Sequence, residues 1–151
     1  MDLDAVAIVT ASVSAVVGVL EDLATYPHWL TIVGAATPAT RHDDDAGPAW
    51  AVDLVGRVGP LVKRKRVRMV RVAPDVEGGT VRFERSELDG RSHNEWILTG
   101  SASLSENGGT VVRVGIHYGG GGGLPGADRL LRQEVRRAGD RLEAYLRARS
   151  D

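Results

Sequence analysis

The chain of 151 residues contains no cysteine, and that one absence removes disulfide staples, zinc–thiolate sites and iron–sulfur clusters together. A cysteine-free chain suits a reducing cytoplasm, which is the expected compartment. Aromatic residues are scarce, with one Phe, three Trp and three Tyr, so each large ring is a landmark. Neither sign of charge prevails, since 19 Lys and Arg stand against 20 Asp and Glu. That balance argues against a nucleic-acid partner, which a basic excess normally announces. No apolar run approaches the ~20 residues that span a bilayer. Val13–Leu20 is short and follows Asp2 and Asp4 rather than a basic stretch, so it does not read as a signal peptide.

The common catalytic motifs are missing as well. His28, His42, His93 and His117 form no His-Glu-x-x-His, and no metal site is expected. Gly-x-Ser-x-Gly is absent, and the serines of 101–105 belong to a strand-like segment. Gly121, Gly123 and Gly126 formally spell Gly-x-Gly-x-x-Gly. Only about 25 residues follow, too few for the further parallel strand of a dinucleotide fold. The run Gly119–Gly123 reads instead as a hinge before the last helix, and no cofactor is expected.

What is present is globular. Hydrophobic residues make up 42% and charged residues 26%, and residues 1–151 read as a single domain. Ala5–Thr10 is short, apolar and β-branched, as a first strand should be. Ser12 is placed to cap a helix that carries Val13, Val16, Val17, Leu20 and Leu23 at helical spacing. Tyr26-Pro27 interrupts it, and a second short helix is expected over His28–Val33. Segments 35–41, 49–58, 62–73, 80–88, 92–104 and 110–118 then read as strands. Gly78-Gly79, Asp89-Gly90 and Asn107-Gly108-Gly109 supply the positive φ that tight turns require. Trp50, Val52, Leu54 and Val58 alternate with Asp53 and Arg57. Val112, Val114, Ile116 and Tyr118 oppose Arg113 and His117. One wet face and one packed face indicate an antiparallel sheet. A long amphipathic helix closes the chain, with Ala127, Leu131, Val135, Ala138, Leu142 and Tyr145 along one stripe.

This order, with the phrase from Ala15 to Leu30 and its Asp-x-x-x-Tyr-Pro-x-Trp ending, resembles the START-like superfamily. That group includes polyketide cyclase/dehydrases and pollen-allergen-type lipid binders. Trp50 in a strand and the Gly-Pro step into the last helix fit the same pattern. The resemblance implies an α+β helix-grip fold. A curved antiparallel sheet of about seven strands wraps a long C-terminal helix, with two short helices after strand 1. It further implies a small hydrophobic or amphipathic ligand, such as a lipid, polyketide or isoprenoid, between sheet and helix. The positions matching the cavity wall are Trp29, Trp50, Val52, Met69, Phe83, Trp96, Leu98, Tyr118, Leu131 and Val135. The plainer alternative is that these side chains are simply core.

Three functional readings stay open. The first is binding or carriage of such a ligand without transforming it. The second is a polyketide cyclase or aromatase in which Arg71 and Arg85 polarise carbonyls and Tyr118 donates a proton. The third is an interaction module with a filled core. His42-Asp43-Asp44-Asp45 suggests a cation cluster but reads better as a solvated acidic loop. His93 and Glu95 carry the parity opposite to Trp96 and Leu98, and are expected to face solvent. Lys63-Arg64-Lys65-Arg66, with Arg68 and Arg71, is the densest charge feature. On a strand Arg64, Arg66 and Arg68 share one face, and Lys63, Lys65, Val67, Met69 and Arg71 the other. The cations read as an outer face paired with acids such as Glu84, or as an anion or transient membrane contact. The Arg-heavy basic set, with abundant Ala, Val and Gly, suggests a GC-rich bacterial genome.

Overall fold

The computed structural model describes residues 2–58, 60–72, 78–119 and 127–150, without the side chains of 57–58, 127–128, 130–131 and 150. The strand β1 (Asp2–Val9) leads through Ser12 into the helix α1 (Val13–Leu20). The Ser12 hydroxyl accepts from the Ala15 N–H at 3.1 Å and satisfies one of the free amides of the first turn. A 3-10 turn, Leu23–His28, follows. This corrects the second helix expected over His28–Val33. Pro27 sits inside the 3-10 turn rather than ahead of a new helix. Asp22 caps it at the Ala24 N–H, so the element starts five residues early. Val33 already belongs to a strand.

The remaining strands are β2 (Val33–Ala39), β3 (Ala49–Val58), β4 (Leu61–Arg71), β5 (Thr80–Arg85), β6 (Trp96–Leu104) and β7 (Thr110–Tyr118). They form one antiparallel sheet in the order β1-β7-β6-β5-β4-β3-β2. Gly79, Gly90 and Gly108 carry φ of +81°, +72° and +91°, at the turns where the sequence placed them. β6 begins only at Trp96, so His93 and Glu95 precede the strand instead of sharing its alternation. The inward parity of β4 holds: Val67 and Met69 are buried, and the Cα register pairs Met69 with Trp50.

The helix α2 (Ala127–Ser150) lies on the inner face of the sheet, chiefly along β1, and buries Val135, Ala138, Leu142 and Leu146. Two glutamates fasten it. Glu143 accepts from the Thr10 N–H at 2.9 Å and from its hydroxyl at 2.5 Å. Glu134 accepts from the Thr31 hydroxyl and, at 2.9 Å, from Arg141. The Thr10 hydroxyl first, with its amide and Arg147, holds the Glu143 carboxyl below the usual glutamate range. Of the glycine run Gly119–Gly123, read as a hinge, all but Gly119 lies outside the described residues.

Candidate functional site

The inner face of the sheet is divided between two groups of aromatic side chains. Near α1 and the 3-10 turn, Trp50 meets Phe83 edge-on at 5.5 Å between ring centroids, and Phe83 meets Tyr26 at 5.9 Å. Tyr26 in turn packs on Trp29 at 4.4 Å. All four rings are buried. The Tyr26 hydroxyl donates to the Leu20 carbonyl at 2.7 Å, which completes the C-terminal end of α1. Burial first, and then the Asp22 charge, raise the Tyr26 phenol far above its ordinary range, so it acts as a fixed donor. Farther across the sheet, where β6 pairs with β7, half-buried Trp96 and Tyr118 stack 5.2 Å apart with planes 18° from parallel.

Between these groups lies a gap lined only by apolar residues: Leu23, Leu30, Ile32, Val33, Val52, Leu54, Met69, Trp96, Leu98 and Ile116. Its open volume is about 20 Å³. A second gap of about 10 Å³ runs beside it between β1, β7 and α2, lined by Trp29, Val112, Val114, Val135 and Gly139 among others. Spaces of this size hold a water molecule, whereas ligand pockets measure roughly 300–1,000 Å³. One polar atom is anomalous there. The indole Nε1–H of Trp29 is buried without a hydrogen-bond partner. Such a buried orphan donor costs about 1–3 kcal/mol.

The expected wall residues are therefore distributed as follows. Val52, Met69, Trp96 and Leu98 line the first gap, and Trp29 and Val135 line the second. Trp50 and Phe83 are packed into the aromatic chain, and Tyr118 stacks on a wall residue. The Leu131 side chain is outside the described residues. Leu54 and Ile116 share the strand parity of Val52 and Tyr118, so alternation alone could have added them. Leu23 opens the 3-10 turn and Leu30 follows its end; helical spacing marks Leu23 as packed, but it does not show that either residue meets the sheet at this gap.

The three residues considered for catalysis are placed apart from the gap. Arg71 is on the inner face beside Phe83 and donates to the Glu21 carbonyl at 3.0 Å, at the end of α1. Arg85, opposite Met69, binds Glu87 at 2.9 Å and the Asn94 carbonyl at 3.2 Å, with its Nη2 3.3 Å from His93 Nδ1. Neither arginine nor Tyr118 lines the apolar gap. His93 meets Asp89 at 2.9 Å, and His117 sits 2.6 Å from Asp2 and 3.3 Å from Glu95. Among the described residues no group of three His, Asp or Glu side chains could hold a metal ion.

One expectation about the acidic loop is corrected. Asp45 is buried, not solvated, and meets Arg68 at 2.5 Å with only 4% and 11% of the two side chains exposed. Arg68 also donates to the Thr40 and Ser86 carbonyls, and Asp45 accepts from the His42 N–H at 2.7 Å. These bonds fold the loop across the outer face of β4. The hydrogen bond from Arg68 first, then that from the His42 amide, hold the Asp45 carboxyl down at about 2. Parity showed that Arg68 points outward, but it could not show that another loop covers it.

The sequence profile described as polyketide cyclase / dehydrase and lipid transport matches residues 2–147. No curated protein matches the chain. Among solved structures, the fold is similar to that of TTHA0849 from Thermus thermophilus, with a TM-score of 0.76, 20% identity and all of both chains covered. A START superfamily protein from Mycobacterium smegmatis superposes with a TM-score of 0.67 at 12% identity, with 97% of each chain covered. The di-domain ARO/CYC protein StfQ of the steffimycin biosynthetic pathway gives 0.62 at 20% identity, with 97% of this chain and 46% of that one covered.

Proposed function

The chain belongs to the polyketide cyclase/dehydrase and lipid transport family, and from that premise we propose that it binds a small hydrophobic ligand that carries an acceptor oxygen. The observation that supports this reading is the buried, unpartnered indole N–H of Trp29, whose ring lines the gap between β1, β7 and α2. An apolar wall favours burial of hydrocarbon, at roughly 25 cal/mol per Å², and a single oriented donor selects what is buried. A ketone, quinone, ester or hydroxyl oxygen satisfies that donor, and a bare hydrocarbon leaves it unpaired. The ligand enters by parting the inner wall, most simply at the half-buried end where Trp96 and Tyr118 stack. Binding without transformation is favoured over cyclase chemistry because Arg71 and Arg85 already spend their guanidinium groups on Glu21, Glu87 and Asn94.

A matched pair of probes tests this. Menadione and 2-methylnaphthalene share a carbon skeleton and differ in two carbonyl oxygens. The three tryptophans give three indole N–H resonances, and the one lost in Trp29→Phe belongs to Trp29. Saturable menadione binding that shifts this resonance, with weaker binding of 2-methylnaphthalene, is the expected result. Equal affinity for both probes, or no saturable binding of either, overturns the reading and leaves a module with a filled core.

A further inference from the structure

The hairpin of β3 and β4 runs out beyond the rest of the sheet. β5 pairs with β4 only over Met69–Arg71, and β2 pairs with β3 no farther out than Leu54. Val55 still donates its N–H to the Ile32 carbonyl at 2.8 Å, and the register Gly56↔Lys63 and Val58↔Leu61 continues past it, so the outer part is a two-stranded arm with no neighbouring strand, and Arg64, Lys65 and Arg66 stand at its root. Its tip exposes two aliphatic side chains, Leu61 at 55% and Val62 at 49%. Behind them Lys63, Arg64, Lys65 and Arg66 are all exposed. Among the described residues Lys63 and Lys65 make no ion pair, and Arg64 is near Asp53, whose carboxylate Arg66 already binds at 2.9 Å.

Alternation sends Lys63 and Lys65 to one face of the arm and Arg64 and Arg66 to the other. The cations therefore form a collar around an apolar tip. A collar does not match a flat protein face, which would meet only half of it, and a nucleic acid gains nothing from Leu61 and Val62. A plane of anionic headgroups approached end-on meets both faces at once, while the tip reaches the acyl boundary. The rest of the chain reinforces this orientation. With those four cations set aside, the 19 Lys and Arg fall to 15 against 20 acidic residues. The four cations therefore stand against a net-acidic remainder of the chain.

We propose that this arm docks the protein on an anionic lipid surface. The docking does not depend on the ligand reading. Its position gains meaning from that reading, because Leu54 pairs with Lys65 at the root of the arm and also lines the apolar gap. A docked arm sets that gap beside the source of an apolar ligand.

Vesicle flotation of the full chain tests the proposal, with phosphatidylcholine vesicles compared to vesicles that also contain about 30% phosphatidylglycerol, enough anionic lipid to set up a negative surface potential. Association is expected only with the anionic vesicles, and it should weaken sharply when salt shortens the screening length to about 3 Å at 1 M. Each cation near such a surface is worth about a fivefold change in affinity, so K63E/R64E/K65E, which removes three cations and adds three repelling charges, should lose at least about 100-fold. Leu61→Ser with Val62→Ser should weaken binding about tenfold by removing the apolar tip. All these side chains are exposed, and an unchanged Tm verifies that the variants fold. Equal binding to neutral vesicles, or binding that survives charge reversal, overturns the proposal. So does heparin or duplex DNA binding more tightly than vesicles with no effect of the tip substitutions, which marks a general polyanion site. Flotation uses no ligand, so a failure here leaves menadione binding intact and distinguishable.

Discussion

Two buried polar groups, treated in opposite ways, set the behaviour of individual residues. Asp45 and Arg68 are taken from water but fully engaged, and removing one partner strands the other, at a cost on the order of 3 kcal/mol. Asp45→Asn should therefore lower unfolding stability by about that amount at pH 7. The pH dependence has a definite sign. The folded carboxyl titrates at about 2, below its unfolded range near 4. Its contribution of about 2 kcal/mol is complete above pH 4 and lost as the pH falls from 4 through 2. Urea denaturation of wild type and Asp45→Asn at pH 7 and pH 2.5 should show the gap between them close. Trp29 is the contrary case, with an orphan donor in a well-packed ring. Trp29→Phe should leave stability within about 1 kcal/mol of wild type, because the lost volume offsets a removed desolvation penalty. Trp29→Ala should cost about 3–5 kcal/mol in the same denaturation experiment.

At the scale of elements, the seat of α2 on β1 is controlled by small side chains. A Cβ added at Gly139 would stand 2.5 Å from the Ala7 Cβ. Alanine in a helix gains about 1 kcal/mol over glycine by propensity, but a contact this short with an atom fixed to a strand costs about 1–3 kcal/mol. Gly139→Ala should thus be net destabilising, and Gly139→Ala with Ala7→Gly should recover the loss as a positive coupling in thermal unfolding. Strand elements were legible because two-residue alternation in β3 and β7 and the glycines at 79, 90 and 108 are local signals. The 3-10 turn is not legible, because Pro27 fits both the start of a helix and the inside of a short 3-10 segment. Nothing local marks Trp96 as the first residue of β6, so the sequence does not separate His93 and Glu95 from that strand. The inner and outer faces of β4 were legible from parity. The cover that loop 40–48 provides over Arg68 was not, since a contact 23 residues away leaves no local trace.

For the whole molecule, the fold positions three things in line: an apolar gap on the inner face, an aromatic stack at the wall of that gap, and a cationic arm rooted beside it. No helix among the described residues is long and apolar enough to cross a membrane. The candidate wall was legible in part, because Val52, Met69, Trp96 and Leu98 lie on alternating strand positions. Its small volume was not, because the fit of Leu23 and Leu30 against the sheet depends on how the 3-10 turn docks. The central claim is that this inner face accepts an oxygen-bearing hydrophobic ligand. The most direct measurement is native mass spectrometry of the purified protein, before and after addition of menadione, with extraction and identification of anything already bound. The account predicts one retained ligand per chain and its loss of occupancy in Trp29→Phe. A spectrum that stays at the bare protein mass at saturating menadione contradicts it.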